Sequence, residues 1–363
     1  MLAGIAKEVQ EEWNLVRLCH PERSEGSAAC RNIQIPRFAR DGNSKRAVNL
    51  QASQSTRNSV GVLDTTGVLL RDLIDYAGLF PPATLAMATT VSNYQTYSQS
   101  EWNWILGRLI VPASRLSEFE AAFAALPTPT HGIGFANWKL SLLLGSDPSA
   151  DVARIREFNT RMSSSSSART ATVDAVEVKV ATPDEIARLS GIIPAELAVY
   201  FEIPLSGCGE CISAISQCRR RAKIRTGGET ADKFPTPESV VEFIRQCAAA
   251  NVPFKATAGL HHPLRSVHRF TYQSDSPSGM MHGFLNVFLA AAFLRAGMAA
   301  KLAVQLLEER SAQAFRFDAD GVAWRDHRLS REEIATARQG FAVSFGSCSF
   351  TEPIDDLRSL HLL

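Results

Sequence analysis

The sequence predicts a (β/α)8 barrel, and three observations carry that reading. From about residue 65 onward, eight short β-rich apolar runs alternate with seven helical stretches, the pattern of parallel βαβ units. The stretch that holds them is about 300 residues, enough for eight such units. Three of the helices open on clear start signals. The same alternation also allows a doubly wound open sheet, which is the alternative.

The expected strands, in order, are 106–112 (LGRLIVP), 138–144 (WKLSLLL), 175–180 (AVEVKV), 197–204 (LAVYFEIP) and 222–226 (AKIRT). They continue with 253–258 (PFKATA), 315–318 (FRFD) or the nearby 322–324, and 341–345 (FAVSF). The expected helices are 115–125, 150–158, 182–190, 212–220, 236–251, 282–310 and 330–339. Thr182-Pro-Asp-Glu, Thr236-Pro-Glu-Ser and Ser330-Arg-Glu-Glu each place a capping hydroxyl before an acidic first turn. The first two add Pro at the first helical position. Segment 283–294 (GFLNVFLAAAFL) is too short to span a bilayer and reads as a buried helix. The serine run 163–167 reads as a solvated loop.

Residues 1–60 read differently. They carry nine Lys and Arg against six Asp and Glu, while the rest of the chain carries 29 against 31. After about Leu18 this segment is rich in Ser, Arg, Asn and Gln and has too little apolar surface to offset its ordering entropy. Residues 19–46 (CHPERSEGSAACRNIQIPRFARDGNSKR) resemble the translated form of an interspersed repeat of bacterial genomes. A disordered or spurious extension is therefore expected over 1–60, followed by a single catalytic barrel over 61–363.

Composition excludes other classes. A net charge of +1 offers no basic field for a nucleic acid backbone. No uncharged apolar run reaches the roughly 18 residues a membrane helix needs. Seven irregularly spaced Cys fit reduced thiols and a cytoplasmic location. The CxxC at Cys208 and Cys211 has no second pair with which to build a zinc site.

Active sites of such barrels gather at the C-terminal strand ends, so polar residues within apolar strands are the candidates. Glu177 and Lys179 share one strand face; so do Lys223 and Arg225, and Lys255 and Thr257, while Glu202 lies on the strand between. Cations inside a low-dielectric barrel must be paired or must hold an anion. Two glycine loops follow strand ends: Thr226, Gly227 and Gly228 after one, Gly259 with His261 and His262 after the next. Their backbone N–H groups suit an anionic ligand. His282 follows some twenty residues later. Asp75 and Tyr76, in LIDYAGLFPPA (73–83), are expected on an ordered loop or short strand and are candidates for a lid. Cys348, in FGSCSF after the last strand, reads as a small buried residue.

The run FKATAGL (254–260) resembles the lysine-bearing strand of deoxyribose-phosphate-type class I aldolases. That resemblance implies a Schiff base between a strand-six lysine, here Lys255, and a carbonyl substrate. AKIRTGG (222–228) is faintly similar to the same family's later lysine strand, although it comes earlier in this chain. The implied enzyme is an aldolase-like lyase acting on a small anionic metabolite, without cofactor. Burial and a neighbouring cation would lower the pKa of Lys255. Glu202, Glu177 or His261 would exchange protons, with Lys223 in support. Arg225, the glycine loops and the remaining polar residues would hold the anionic end. A metal-dependent lyase, isomerase or hydrolase built on His261, His262, His282 and Glu202 is the second expectation, and a non-catalytic anion-binding barrel the third. A homo-oligomer is compatible with all three.

Overall fold

Eight parallel strands close on themselves in the computed structural model, which describes residues 65–363 apart from 128–135 and 166–168. In chain order the strands are β1 (Ile74–Tyr76), β2 (Leu106–Pro112), β3 (Ala136–Leu143), β4 (Arg169–Lys179), β5 (Ala198–Glu202), β6 (Arg221–Arg225), β7 (Phe254–Thr257), β8 (Ser266–Arg269), β9 (Ser278–Met281), β10 (Phe315–Asp318), β11 (Gly321–Trp324), β12 (His327–Ser330) and β13 (Ala342–Ser347). The barrel takes β1 to β7 and then β13, which pairs with both β7 and β1 to complete the ring. The expected extension over 1–60, its repeat-like segment, and residues 166–167 of the serine run lie outside the described residues.

The helices are α1 (Thr65–Leu70), α2 (Met87–Ser98), α3 (Leu116–Ala124), α4 (Pro148–Ser163), α5 (Pro183–Ile192), α6 (Cys208–Gln217), α7 (Pro237–Ala249), α8 (Phe284–Arg295), α9 (Ala300–Glu308), α10 (Arg331–Gly340) and α11 (Thr351–Ser359). The start signals act as written. Thr182 and Ser330 form capping boxes with Glu185 and Glu333, and the Thr236 hydroxyl accepts from the Ser239 N–H. The apolar stretch 283–294 is α8, buried all round. Among the described residues no helix is long and apolar enough to cross a membrane.

Two elements depart from expectation. The run 315–318 is not a barrel strand: β10, β11 and β12 form a separate antiparallel sheet. Its FRFD alternates half-buried and exposed side chains, whereas a parallel barrel strand is covered on both faces. The missing barrel strand is β1, only three residues long and wholly buried. The expected strands from 106–112 to 253–258 therefore each move up one, so Lys223 lies on the sixth and Lys255 on the seventh, while the last strand stays the eighth. The single helix expected over 282–310 breaks at Gly297, whose φ of +96° is left-handed. The N–H groups of Gly297 and Met298 close the end on Leu294 and Phe293 carbonyls.

Candidate active site

One layer of the barrel interior is polar where a structural barrel would be apolar, and all eight strands contribute to it. Lys255 on β7 places its Nζ 2.7 Å from Asp75 Oδ2 on β1 and 2.7 Å from Glu177 Oε1 on β4. Lys223 on β6 stands 2.8 Å from Glu177 Oε2 and 2.8 Å from Glu202 Oε2 on β5. Ser141 on β3 donates to Glu177 at 2.8 Å, and Ser344 on β13 donates to Asp75 at 2.8 Å. On β2, the Arg108 N–H donates to the other Asp75 oxygen at 2.7 Å. Glycine at 107 is required there, because a Cβ would collide with that carboxylate. The strand register aligns Glu202 with Lys223 and Lys223 with Lys255.

Such a network is a weak source of stability, since removing these charges from water offsets most of their attraction. Its presence makes this layer the candidate functional site. Above it, at the C-terminal strand ends, opens a cavity of about 630 Å3. Glu177, Glu202, Lys223, Arg225, Lys179 and Thr257 line it, as do Gly228, Gly259 and His261 from the following loops. Phe80, Pro81 and Pro82 from the FPP segment, Phe270 and Met281 supply apolar wall.

The two lysines differ. Lys255 is 1% exposed, does not line the cavity, and forms well-directed hydrogen bonds to both carboxylates. Burial alone would lower its pKa; Asp75 and Glu177 outweigh burial and raise it. This corrects the expectation that a neighbouring cation would depress it: the nearest charges are anions. Lys223 does line the cavity, and its contact with Glu177 Oε2 has ion-pair distance without hydrogen-bond alignment, leaving that oxygen without a hydrogen-bond partner. Burial would raise Glu177 and Glu202, but the lysines beside them hold both below the usual carboxylate range. Arg225 Nε donates to Glu202 at 3.0 Å from a half-exposed side chain. Lys179 is exposed on the rim with no ion pair among the described residues.

Several expected binding residues serve the fold instead. Thr226 is buried and donates to the Ala258 carbonyl at 2.7 Å, joining the loops after β6 and β7. Gly227 packs its backbone on Gly259 beneath Phe234. His282 accepts from Arg265 at Nδ1 (3.1 Å) and donates from Nε2 to the Pro235 carbonyl (2.7 Å), a buried neutral ring. Burial lowers its pKa to about 4. His262 pairs with Asp356 at 2.6 Å and stacks on His268, away from the cavity wall. His261, His262, His282 and Glu202 therefore do not converge. Among the described residues no three His, Cys, Asp or Glu side chains gather where one cation could take them.

Asp75 is no lid residue but part of the buried network, and Tyr76 is a buried barrel side chain whose hydroxyl accepts from Asn93. Cys208 and Cys211 are free thiols in the first turn of α6, pushed up by burial. Sequence reasoning missed Ser141, Ser344 and Glu352. The serines are ordinary residues in apolar strands, and Glu352 sits 91 positions from the His261 it binds.

The fold and site define a (β/α)8 barrel with a charged cavity on the face where barrel enzymes work. No protein-family model matches the chain. No curated protein matches it either.

Proposed function

We propose that this barrel is a lyase of aldolase type, forming a Schiff base between Lys223 and a small anionic carbonyl compound. One observation carries the reading: the Lys223 amine reaches the cavity floor between two carboxylates, while Lys255 is sealed beneath. Position supports it too. The resemblance itself implies the lysine within FKATAGL, Lys255, but that strand is the seventh here, and the sixth-strand position that those aldolases use for the Schiff-base lysine belongs to Lys223. Lys255 then keeps Glu177 ionised and fixed.

Glu202, 2.8 Å from the amine, is the carboxylate placed to relay protons between the amine and the substrate. The amine adds to the carbonyl carbon and water leaves, giving an iminium. Loss of the proton on the β-hydroxyl then breaks the bond between the α and β carbons, and an aldehyde leaves. The electron pair forms an enamine that is protonated and hydrolysed to free the lysine. Lys179 and the free edge of the Arg225 guanidinium face the substrate's anionic end.

Borohydride reduction in the presence of small aldehydes and keto acids tests this. The expected result is a covalent adduct on the Lys223 peptide, absent in Lys223→Met. No adduct at any lysine across the panel overturns it, and binding without an adduct would leave an anion-binding barrel. An adduct confined to Lys255 would move the nucleophile to the seventh strand.

A further inference from the structure

The cavity wall carries a second reactive arrangement that the lysine chemistry does not use. Cys348, just beyond β13, turns its sulfur toward His261 Nε2 at 3.9 Å. The other ring nitrogen of His261 donates to Glu352 Oε2 at 3.1 Å, and the Tyr272 hydroxyl donates to the same oxygen at 2.8 Å. Tyr272 also lies 3.5 Å from the sulfur. Nucleophile, ring and orienting carboxylate thus come from three separate segments: the β13 end, the loop after β7, and the first turn of α11. Cys348 and His261 both line the cavity that holds Lys223. Burial alone would lower His261, but Cys348 and Glu352 outweigh it and raise its pKa to about 10. An imidazolium beside a sulfur is the neighbour that makes a thiol nucleophilic.

We infer that Cys348 is a second covalent nucleophile of this cavity, with His261 as its acid and base, and that it adds to the carbonyl carbon of small anionic aldehydes. The inference shares the class of ligand with the proposed lyase and does not depend on Lys223. The step balances without a further reactant. With the proton of the pair held on His261 Nε2, a sulfur electron pair forms the S–C bond. The carbonyl π pair moves to oxygen, which takes the proton from Nε2. The product is a hemithioacetal; nothing is oxidised and nothing leaves. Glu352 acts through His261 as a positioning residue, and Tyr272 fixes Glu352.

The test is alkylation of the full chain by iodoacetamide at neutral pH, read peptide by peptide with and without glyoxylate. Cys348 should react faster than the half-buried free thiol Cys218. Glyoxylate should slow Cys348 and leave Cys218 alone. His261→Gln should slow Cys348 by about a hundredfold, the low end of an acid–base contribution. In Glu352→Gln the His261 titration, followed by its imidazole NMR signals, should fall below about 10. Lys223→Met separates the two readings: it abolishes the borohydride adduct and keeps the protection of Cys348. The inference is overturned if Cys348 reacts no faster than Cys218, or if glyoxylate does not protect it in the unmodified protein, whose folding is not in question.

Discussion

Lys255 and Asp75 meet at 2.7 Å across the closed ring although 180 positions separate them. Both are 1% exposed, so neither has water to fall back on. Asp75→Asn leaves the ammonium with half its compensation and should lower unfolding stability by about 3 kcal/mol or more. Urea denaturation measures this, and pairing it with Lys255→Met should cost less than the two single changes added. Simple additivity would mean that the pair contributes nothing as a pair.

The same network sets the acid limit of the fold. Glu177 is held far below its ordinary 4.5 by Lys223 and Lys255, which outweigh its burial. A depressed carboxylate contributes stability that is complete above the unfolded value and lost as pH falls through the folded one. Stability should therefore decline from about pH 4.5 downward, and in Glu177→Gln that slope should be shallower. On the alkaline side Lys255 is raised above 10.5, so its contribution is whole below that pH and fades above it. Unfolding free energies at stepped pH would expose an error of sign at either end.

Much of the architecture was legible because parallel barrel strands announce themselves as apolar runs between capped helices. Lys223, Glu202, Glu177 and Arg225 were legible for the related reason that charge inside such a run has nowhere neutral to go. β1 was not: three residues are too few to show any period, and IDY carries a charge at its centre. FRFD took its place in the count because a half-exposed strand shows more β character than a short buried one. The partners of the histidines were hidden for another reason. Glu352 and Asp356 sit on α11 as ordinary helix-surface acids, and only chain closure brings them to His261 and His262. Thr226 and His282 carry no signal that separates the two roles, because a polar side chain in a site loop looks the same in sequence whether it faces ligand or backbone.

His282 gives a separate pH signature. Its folded pKa of about 4 lies below the usual 6.5, so the unfolded chain binds the proton first. Stability from this ring is whole above 6.5 and is lost as pH falls toward 4, by about 3 kcal/mol in total. His282→Gln keeps a donor for the Pro235 carbonyl and should flatten thermal stability between those two values. A slope unchanged by the substitution would show that the ring is already protonated in the folded state.

The cavity floor depends on Gly259. Its φ of +71° is left-handed, and an added Cβ would stand 2.7 Å from the Phe234 ring and 2.8 Å from the Gly227 Cα. Backbone strain at such a site is of order 1–2 kcal/mol, before the ring and the facing loop are pushed aside. Both loops carry the cavity wall, Gly228 on one side and His261 on the other. Gly259→Ala should therefore destabilise the fold by about 2 kcal/mol and slow adduct formation at Lys223 as well. Gly191, near the end of α5, is the control: nothing lies within 4 Å of its added Cβ and its backbone is unstrained. Gly191→Ala should leave the adduct unchanged and hold or slightly raise stability. If the two alanines behave alike, the close approach of the loops after β6 and β7 does not shape the site.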